Sequence, residues 1–224
     1  MAMIFGVDST VPANTRLTNG YHMYDWVMRM NRFPSFWGRA LTGGDAVTAD
    51  ELAYLRGKNC KIALILRDLT EAGVSASDGT DDALRAVEAA KALGVPQNGE
   101  VALFAEIRPD WSVNHNWMIS FAQALSDNGY RPGFIGNTDS SKNFNFDRQC
   151  SHYVQATADA AQYHAVYWAT EPKEEGEPAS WAPFCPSALA PEEIGLWRRG
   201  VIRFGDREVN ETYARQPELL GCMW

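Results

Sequence analysis

The sequence lacks the features that would place the chain across a membrane. None of its apolar runs approaches the roughly 18 residues that a spanning helix needs, so we expect no membrane span. Residues 1–8 also lack the basic start and the long apolar stretch of a secretion signal. Because a signal can be removed during export, the sequence leaves the location open, including export and association with the cell wall.

Positive charge is also too scarce for a nucleic-acid partner. The chain carries 20 Lys and Arg against 28 Asp and Glu, a formal net charge of −8, whereas nucleic acids and anionic membranes select basic surfaces. We therefore expect no nucleic-acid partner, and the overall charge suits a neutral or cationic substrate. The four cysteines have no CxxC spacing, which argues against a zinc knot and predicts buried or free thiols.

Several catalytic motifs are missing. The sequence has no Gly-x-Gly-x-x-Gly after its first apolar run and no Walker Gly-x-x-x-x-Gly-Lys, which removes the main support for a nucleotide cofactor. Neither Gly-x-Ser-x-Gly nor His-Glu-x-x-His occurs, which argues against a serine hydrolase of the α/β type and a zinc protease. We therefore expect no cofactor and no metal, with a divalent cation held by carboxylates as the open alternative.

The sequence does contain a series of short apolar runs bounded by polar or turn residues. Runs of this length are typical of strands that are buried on both faces. The six clearest runs span residues 3–7, 33–37, 61–66, 101–105, 133–136 and 165–168. Two weaker candidate strands lie at residues 153–155 and 193–197.

Helical patterns separate these runs. Thr48-Ala49-Asp50-Glu51 forms a capping box, in which the Thr hydroxyl and the Glu carboxylate each accept from a free backbone N–H at a helix start. Apolar stripes predict further helices over residues 80–93 and from about 115 to 128, and residues 20–30 form a weaker candidate. Alternating strands and helices predict an α/β fold with a parallel sheet. Eight strands would close a compact (β/α)8 TIM-like barrel with parallel strands and short helices.

We expect a single domain over residues 1–224. Within it, the segment 171–193 holds five prolines with acidic residues between them and no periodic pattern. We predict a long loop at the carboxyl end of the preceding strand, a position from which loops often shape binding sites. A plain surface excursion is the alternative.

Four carboxylates follow predicted strands. Asp8, Asp68, Glu106 and Glu171 lie at or just past the carboxyl end of an apolar run, and in a parallel barrel those ends share the face that holds the active site. Strand ends are where polar residues return in any case, but nothing in strand chemistry favours Asp or Glu there. We therefore expect the four acids to meet at one mouth.

A cluster of carboxyl groups suits the cleavage of a glycosidic bond. That reaction needs one acid to protonate the leaving oxygen and a second carboxylate as base, nucleophile or stabilising charge. Glu106 is the candidate acid, because it follows the run 101–105 directly and its side chain reaches further than that of Asp. Asp8 is its candidate partner.

Other residues near the strand ends are candidate ligands of the substrate. This set comprises Arg39, Asp68, Trp111, Asn137, Trp168 and Glu171. The flat faces of Trp111 and Trp168 would stack on the C–H surfaces of sugar rings. The expected partner is thus a carbohydrate polymer or an oligosaccharide.

Several segments resemble one family in the same order along the chain. Phe5-Gly6-Val7-Asp8 is similar to the first strand of glycoside-hydrolase-like TIM-barrel domains, once classed as a domain of unknown function and related in outline to family 25 lysozymes. Segments 36–43, 83–96 and 129–136 agree with later parts of that family, the last most closely. The resemblance implies a TIM-like barrel and a carbohydrate hydrolase that acts on cell-wall polymer such as peptidoglycan. It carries over Asp8 and Glu106 by position, and Glu208 as a third acid.

Two departures from the family pattern affect this inference. The acidic strand of the family ends with two acids separated by one residue, whereas Glu106 is followed by Ile107 and Arg108. The final pattern has Glu208-Val209-Asn210 in place of Asp-Leu-Asn. The absence of a second acid two residues after Glu106 predicts altered catalytic roles, an altered substrate or no catalysis. The alternatives are therefore a carbohydrate-binding barrel without turnover and, less favoured, a phosphate-handling barrel with a metal between the acids.

Overall fold

Eight strands close into a barrel in the order in which they occur in the chain. The computed structural model describes residues 3–29, 32–139, 141, 145–174 and 176–224. The strands are β1 (Ile4–Asp8), β2 (Phe36–Ala40), β3 (Lys61–Leu66), β4 (Ala102–Glu106), β5 (Arg131–Gly136), β6 (Val166–Ala169), β7 (Ile194–Phe204) and β8 (Arg207–Ala214). The predicted closed barrel with eight strands is therefore confirmed.

The expectation that all strands run parallel is wrong for β8. Strands β1 to β7 pair with their sequence neighbours in parallel, whereas β8 is antiparallel to both β7 and β1. Only Gly205 and Asp206 join β7 to β8, and Gly205 has φ +58°, as the first position of a type II′ hairpin turn requires. A parallel crossover needs a dozen or more residues, so this short link forces the last strand to reverse.

The six clear apolar runs each overlap one strand, from β1 to β6. The weaker candidate at residues 193–197 lies in β7 and is confirmed. The candidate strand at residues 153–155 is wrong, because these residues belong to a helix, α6. Tyr153 is fully buried there, so its burial in the helix outweighs its preference for strands.

Six α-helices occur in the described part of the chain. They are α1 (Met23–Arg29), α2 (Ala49–Gly57), α3 (Glu71–Ser75), α4 (Thr80–Ala92), α5 (His115–Asp127) and α6 (Asn145–Ala156). At the start of α2, Thr48 Oγ1 accepts from the backbone N–H of Glu51 at 3.2 Å. The reciprocal half of the predicted capping box is not formed, because the Glu51 carboxylate binds Arg39 instead.

The apolar core has two layers. The inner layer fills the barrel, where inward residues alternate along each strand, as in Ala63 and Ile65 or Val166 and Trp168. The outer layer packs the helices against the outside of the barrel and includes large side chains such as Trp117. The four cysteines are free thiols, and burial raises the pKa of Cys60, Cys150 and Cys222.

Residues 222–224 close the lower end of the barrel, away from the carboxyl ends of the parallel strands. Cys222 and Met223 are buried within the inner layer. Trp224 exchanges two backbone hydrogen bonds with Ile62 near the start of β3, at 2.9 and 3.0 Å. The opposite end, where the parallel strands finish, is the upper end of the barrel.

The proline-rich segment runs between β6 and β7. Apart from residue 175, it is described, and its regular structure there is one 3-10 turn, Pro191–Glu193. None of the helices in the described ranges is long and apolar enough to cross a membrane.

Candidate active site

Asp8 lies at the centre of a polar cluster in the upper end of the barrel. Strand β1 ends at this residue, and its side chain is fully buried. Its Oδ1 accepts hydrogen bonds from Arg198 Nε and Thr212 Oγ1, both at 3.0 Å. Its Oδ2 accepts from Arg67 Nη2 at 2.5 Å, Arg198 Nη2 at 2.8 Å and Asn210 Nδ2 at 3.0 Å. Five donor groups therefore satisfy the two carboxylate oxygens.

These contacts keep Asp8 ionised despite its burial. Burial raises the pKa of a carboxyl group, since the charged form loses its hydration. For Asp8 that effect is outweighed by the charges of Arg198 and Arg67 and by hydrogen bonds from Asn210 and Arg198, which hold its pKa below the ordinary value. Burial likewise opposes the charge of Arg198, but Asp8 and Glu106 raise the pKa of this guanidinium. Asp8 is therefore a fixed carboxylate.

Glu106 ends β4 and faces the same cluster. Its Oε1 accepts from Arg198 Nη1 at 2.6 Å. Its Oε2 lies 3.1 Å from Arg67 Nε, an ion pair without hydrogen-bond geometry. The Glu106 side chain is 20% exposed, whereas that of Asp8 is 0% exposed. Arg198 thus holds one carboxylate on each side, and of the two only Glu106 reaches solvent.

A pocket of about 500 Å³ opens at this end of the barrel. Glu106, Arg198 and Asn210 line it, together with residues of the loops after β4 and β6 and of the β7–β8 hairpin. Asp8 is not among the lining residues. Trp168 lies inside the barrel, with its ring 5.8 Å from Arg198 Cζ. The pocket therefore meets Glu106 directly and Asp8 only through the groups that bind it.

The polar cluster is the uppermost layer of the barrel interior. Residues two apart in a strand point to the same face, and three of the charged groups lie two positions after an inward apolar residue. These pairs are Ile65 and Arg67, Phe104 and Glu106, and Leu196 and Arg198. Gly38 of β2 lies in this layer, where an added Cβ would come within 2.6 Å of Asp8 Cβ. The absence of a side chain at Gly38 leaves the space that Asp8 occupies.

Four residues of the cluster are absent from the sequence-based prediction: Arg67, Arg198, Asn210 and Thr212. The two-residue spacing was a usable signal for Arg67 and Arg198, and a buried carboxylate requires an opposite charge in any case. For Asn210 and Thr212 the sequence holds no such signal. They approach Asp8 because β8 runs antiparallel to β1, with Asn210 opposite Asp8 in the register.

Arg39 is fully buried beside the cluster. Its Nε donates to both carboxylate oxygens of Glu51, at 2.8 and 3.0 Å. Its Nη1 donates to the carbonyl oxygens of Ser9 and Thr10, and its Nη2 to that of Asp45. Every nitrogen of the guanidinium thus has a protein acceptor, and Arg39 connects the loops after β1 and β2 with the first turn of α2.

Asn137 and Glu171 meet each other beyond β5 and β6. Asn137 Nδ2 donates to Glu171 Oε1 at 3.3 Å, and Asn137 Oδ1 accepts from the backbone N–H of Asp139 at 3.0 Å. Asn137 is buried and Glu171 is half-buried. Neither residue is among those that line the pocket.

Asp68 lies outside the cluster, on the exposed side of the loop after β3. It forms an ion pair with Arg85 and accepts from Thr42 Oγ1 at 2.6 Å. Burial raises its pKa, but the hydrogen bonds from Thr42 and Arg85 and the charge of Arg85 together hold that pKa below the ordinary value. The four acids expected at one mouth therefore divide into Asp8 with Glu106, Glu171 with Asn137, and Asp68 with Arg85.

The two predicted tryptophan ligands differ in exposure. Trp168 is fully buried in the barrel interior, so its faces are covered by protein. Trp111 is half-buried, and Arg108 lies over its ring at 5.1 Å. Glu208 is exposed on the β7–β8 hairpin, where its carboxylate pairs with Arg203 at 3.3 Å.

Among the residues that the structure describes, no group of three or more His, Cys, Asp or Glu side chains is arranged to hold a metal ion. The cluster at the barrel mouth consists instead of two carboxylates and two guanidinium groups. Its charges balance within the cluster, so it needs no bound cation for neutrality.

Two solved structures have a fold similar to that of this chain. The chain is similar to the crystal structure of an uncharacterized B. stearothermophilus protein, with a TM-score of 0.77 and 25% identity over 99% of this chain and 100% of that one. It is also similar in fold to the Mycobacterium tuberculosis Tat-secreted protein Rv2525c, solved in complex with HEPES, with a TM-score of 0.60 and 15% identity over 96% of each chain. No curated protein matches the chain.

A family model for the Rv2525c-like, glycoside hydrolase-like domain matches residues 24–189. This range covers well over half of the chain and includes β2 to β6, with Glu106 at the end of β4. The order of segments that resembled glycoside-hydrolase-like domains in the sequence agrees with this match. The chain therefore belongs to the Rv2525c-like, glycoside hydrolase-like domain family.

Proposed function

We propose that the protein hydrolyses a glycosidic bond in a polysaccharide bound at the barrel mouth, with Glu106 as the carboxyl group that protonates the leaving oxygen. The observation that carries the proposal is that Glu106 lines the pocket while a second carboxylate, Asp8, lies directly behind Arg198. Two carboxyl groups of different environment are what this reaction requires. Peptidoglycan is the first substrate to test.

In this mechanism the two acids have different tasks. Asp8 stays ionised and is inaccessible to a sugar ring, so it supplies fixed negative charge and orients Arg67 and Arg198. Glu106 is the group that contacts the substrate. To act as an acid it must release at least one of its contacts with the two guanidinium groups and take up a proton, and the bound saccharide would have to displace them.

Binding without turnover is the second candidate function. It is favoured by the observation that both Asp8 oxygens and both Glu106 oxygens already face positive or hydrogen-bonding groups. A site held in this way binds hydroxyl groups of a sugar through its arginines without needing a free acid. It corresponds to a barrel that has kept the fold and lost the reaction.

The test compares the wild type with Glu106→Gln, which keeps the shape of the side chain and removes the acid. Peptidoglycan, chitin oligomers and β-glucans are incubated with each protein, and products are identified by mass spectrometry. Loss of a general acid is expected to lower the rate by about 10² to 10⁴-fold. Glu100→Gln, an exposed position before β4 at the other end of the barrel, is the matched control.

Products from the wild type and the control, but not from Glu106→Gln, would support the proposal. Equal product formation by Glu106→Gln would remove Glu106 from the mechanism. Saturable glycan binding without products from any of the three proteins would select the second candidate function.

A further inference from the structure

The pocket at the barrel mouth is positively charged although the protein is acidic. Among the described residues that line it, two are acidic, Glu106 and Glu174, and five are basic. The basic side chains are Arg108, Lys173, Arg198, Arg199 and Arg203. The whole chain, by contrast, has a net charge of −8, so this excess is a property of the pocket and not of the surface in general.

Three of these five cations are already paired. Arg198 binds Asp8 and Glu106. Arg199 pairs with Glu174 on the loop after β6. Arg203 pairs with Glu208 across the hairpin, so the charge of these three residues is compensated within the protein.

Arg108 and Lys173 remain without a carboxylate partner in the described ranges. Arg108 is held over the ring of Trp111 at 5.1 Å, and the backbone N–H of Trp111 bonds to its carbonyl oxygen at 3.1 Å. A cation–π contact of this kind restrains the guanidinium, and the planar N–H fork of arginine suits an oxyanion. Lys173 reaches the same pocket from the loop after β6.

We infer that Arg108 and Lys173 form a subsite for a negatively charged substituent of the saccharide, a carboxylate, sulfate or phosphate group. Arginine and lysine are the side chains that bind such oxyanions through charge-assisted hydrogen bonds. Both residues line the same pocket as Glu106, and they reach it from two separate loops. Uncompensated charge at the rim also raises the local concentration of an anionic ligand. The inference rests on the proposed saccharide site and specifies its substrate class.

The test is calorimetric binding of charged oligosaccharides, each against its uncharged parent. The probes are oligogalacturonate and its methyl ester, and sulfated and phosphorylated maltotriose against maltotriose. We expect at least one charged probe to bind about tenfold more tightly than its parent, the equivalent of one charge-assisted hydrogen bond. This preference should decrease when the salt concentration rises from about 0.05 to 0.5 M, because partly exposed charges are screened.

Two double variants and one single variant test which residues cause the preference for the charged probe. Arg108→Ala/Lys173→Ala should abolish the difference between the charged probe and its parent. Lys61→Ala/Arg131→Ala removes the same charge from exposed positions at the starts of β3 and β5 and should leave the difference unchanged. Arg108→Lys should retain only part of it, since the planar guanidinium with its paired N–H groups is lost.

Equal binding of every charged probe and its parent overturns the inference, as does an unchanged preference in Arg108→Ala/Lys173→Ala. These results are independent of hydrolysis, which is followed by mass spectrometry in the same samples. A charge preference without products would contradict only the proposed hydrolysis. Products without a charge preference would contradict only the anion subsite.

Discussion

The guanidinium Nε of Arg39 lies 2.8 and 3.0 Å from the two carboxylate oxygens of Glu51, and neither side chain is exposed. Glu51 also accepts from the backbone N–H of Ala13 at 2.7 Å. The pair therefore ties β2 to the first turn of α2 and to the segment that follows Asp8. Because the Arg39–Glu51 pair lies next to the polar cluster, it helps to hold the upper end of the barrel in place.

Removal of one partner of this pair should be strongly destabilising. Arg39→Met and Glu51→Leu are each expected to lower the free energy of unfolding by about 3–5 kcal/mol, because the remaining charge is buried without compensation. The double variant should lose less than the sum of the two. Urea unfolding of the four proteins measures this coupling, and strictly additive losses would contradict it.

The stability of the protein should depend on Asp8 in a defined range of pH. The pKa of Asp8 is lower in the folded chain than its ordinary value of 3.8. Its carboxylate therefore stabilises the folded state above that value, and the contribution is lost as the pH falls through the folded pKa. Asp8→Asn removes it at every pH.

We expect Asp8→Asn to lower the free energy of unfolding by about 3–5 kcal/mol near neutral pH, since two arginines lose their partner. The gap between variant and wild type should stay constant down to about pH 5 and become smaller below about pH 4. Urea unfolding between these limits tests the expectation. Asp50→Asn, exposed in the first turn of α2, is the control, and an identical pH dependence of both variants would exclude the assignment.

Gly38 provides a steric test of the cluster. An added methyl group would lie 2.6 Å from Asp8 Cβ and 3.0 Å from Ile65 Cδ1, so Gly38→Ala must displace Asp8. Overpacking of this kind costs about 1–3 kcal/mol, and any saccharide binding at the mouth should weaken with it. Gly57→Ala, which has open space near the end of α2, should be neutral or slightly stabilising.

Thermal unfolding and glycan binding of the two glycine variants provide the comparison. If Gly38→Ala had the stability and glycan binding of the wild type, Asp8 would be able to move without loss of either property. Its five donors would then contribute less to the mouth than their number indicates.

Met223 tests the closure of the lower end. It is almost completely buried within the inner layer of the barrel, so Met223→Ala should lower the free energy of unfolding by about 2–5 kcal/mol. Because the site lies at the opposite end, saccharide binding by the folded variant should stay within about twofold of the wild type. A variant with unchanged stability would show that this end contributes nothing to the core.

Apolar runs predicted β1 to β7, whereas β8 has no apolar run and was indicated only by the resemblance of its residues to the final pattern of the family. Strand β8 has the sequence Arg-Glu-Val-Asn-Glu-Thr-Tyr-Ala, yet its second half is buried. Its inward residues Asn210 and Thr212 are polar because they bind Asp8. The contacts with Asp8 therefore account for the polar residues that interrupt the apolar pattern by which strands are recognised.

Helix α6 was missed for a related reason. Its buried face includes Phe146, Cys150 and Tyr153, which have helical spacing. Only Phe146 of these three is strongly apolar, so the helical pattern is weak in the sequence. Of the four acids that were expected at one mouth, Asp8 and Glu106 contact the same two arginines, whereas Asp68 and Glu171 have other partners. The two arginines were not part of that prediction, although a buried carboxylate requires an opposite charge nearby.

The reversal of β8 also determines when the site can form. Asp8 receives Asn210 and Thr212 from 202 and 204 positions further along the chain. At about 5–20 residues per second of synthesis, β1 waits roughly 10 s or longer for this partner. Until then the nascent sheet has an unpaired edge at β1, and Asp8 lacks the two donors that β8 supplies. The mouth is therefore assembled last, and a ribosome-bound chain without β8 would carry an open barrel with no complete site.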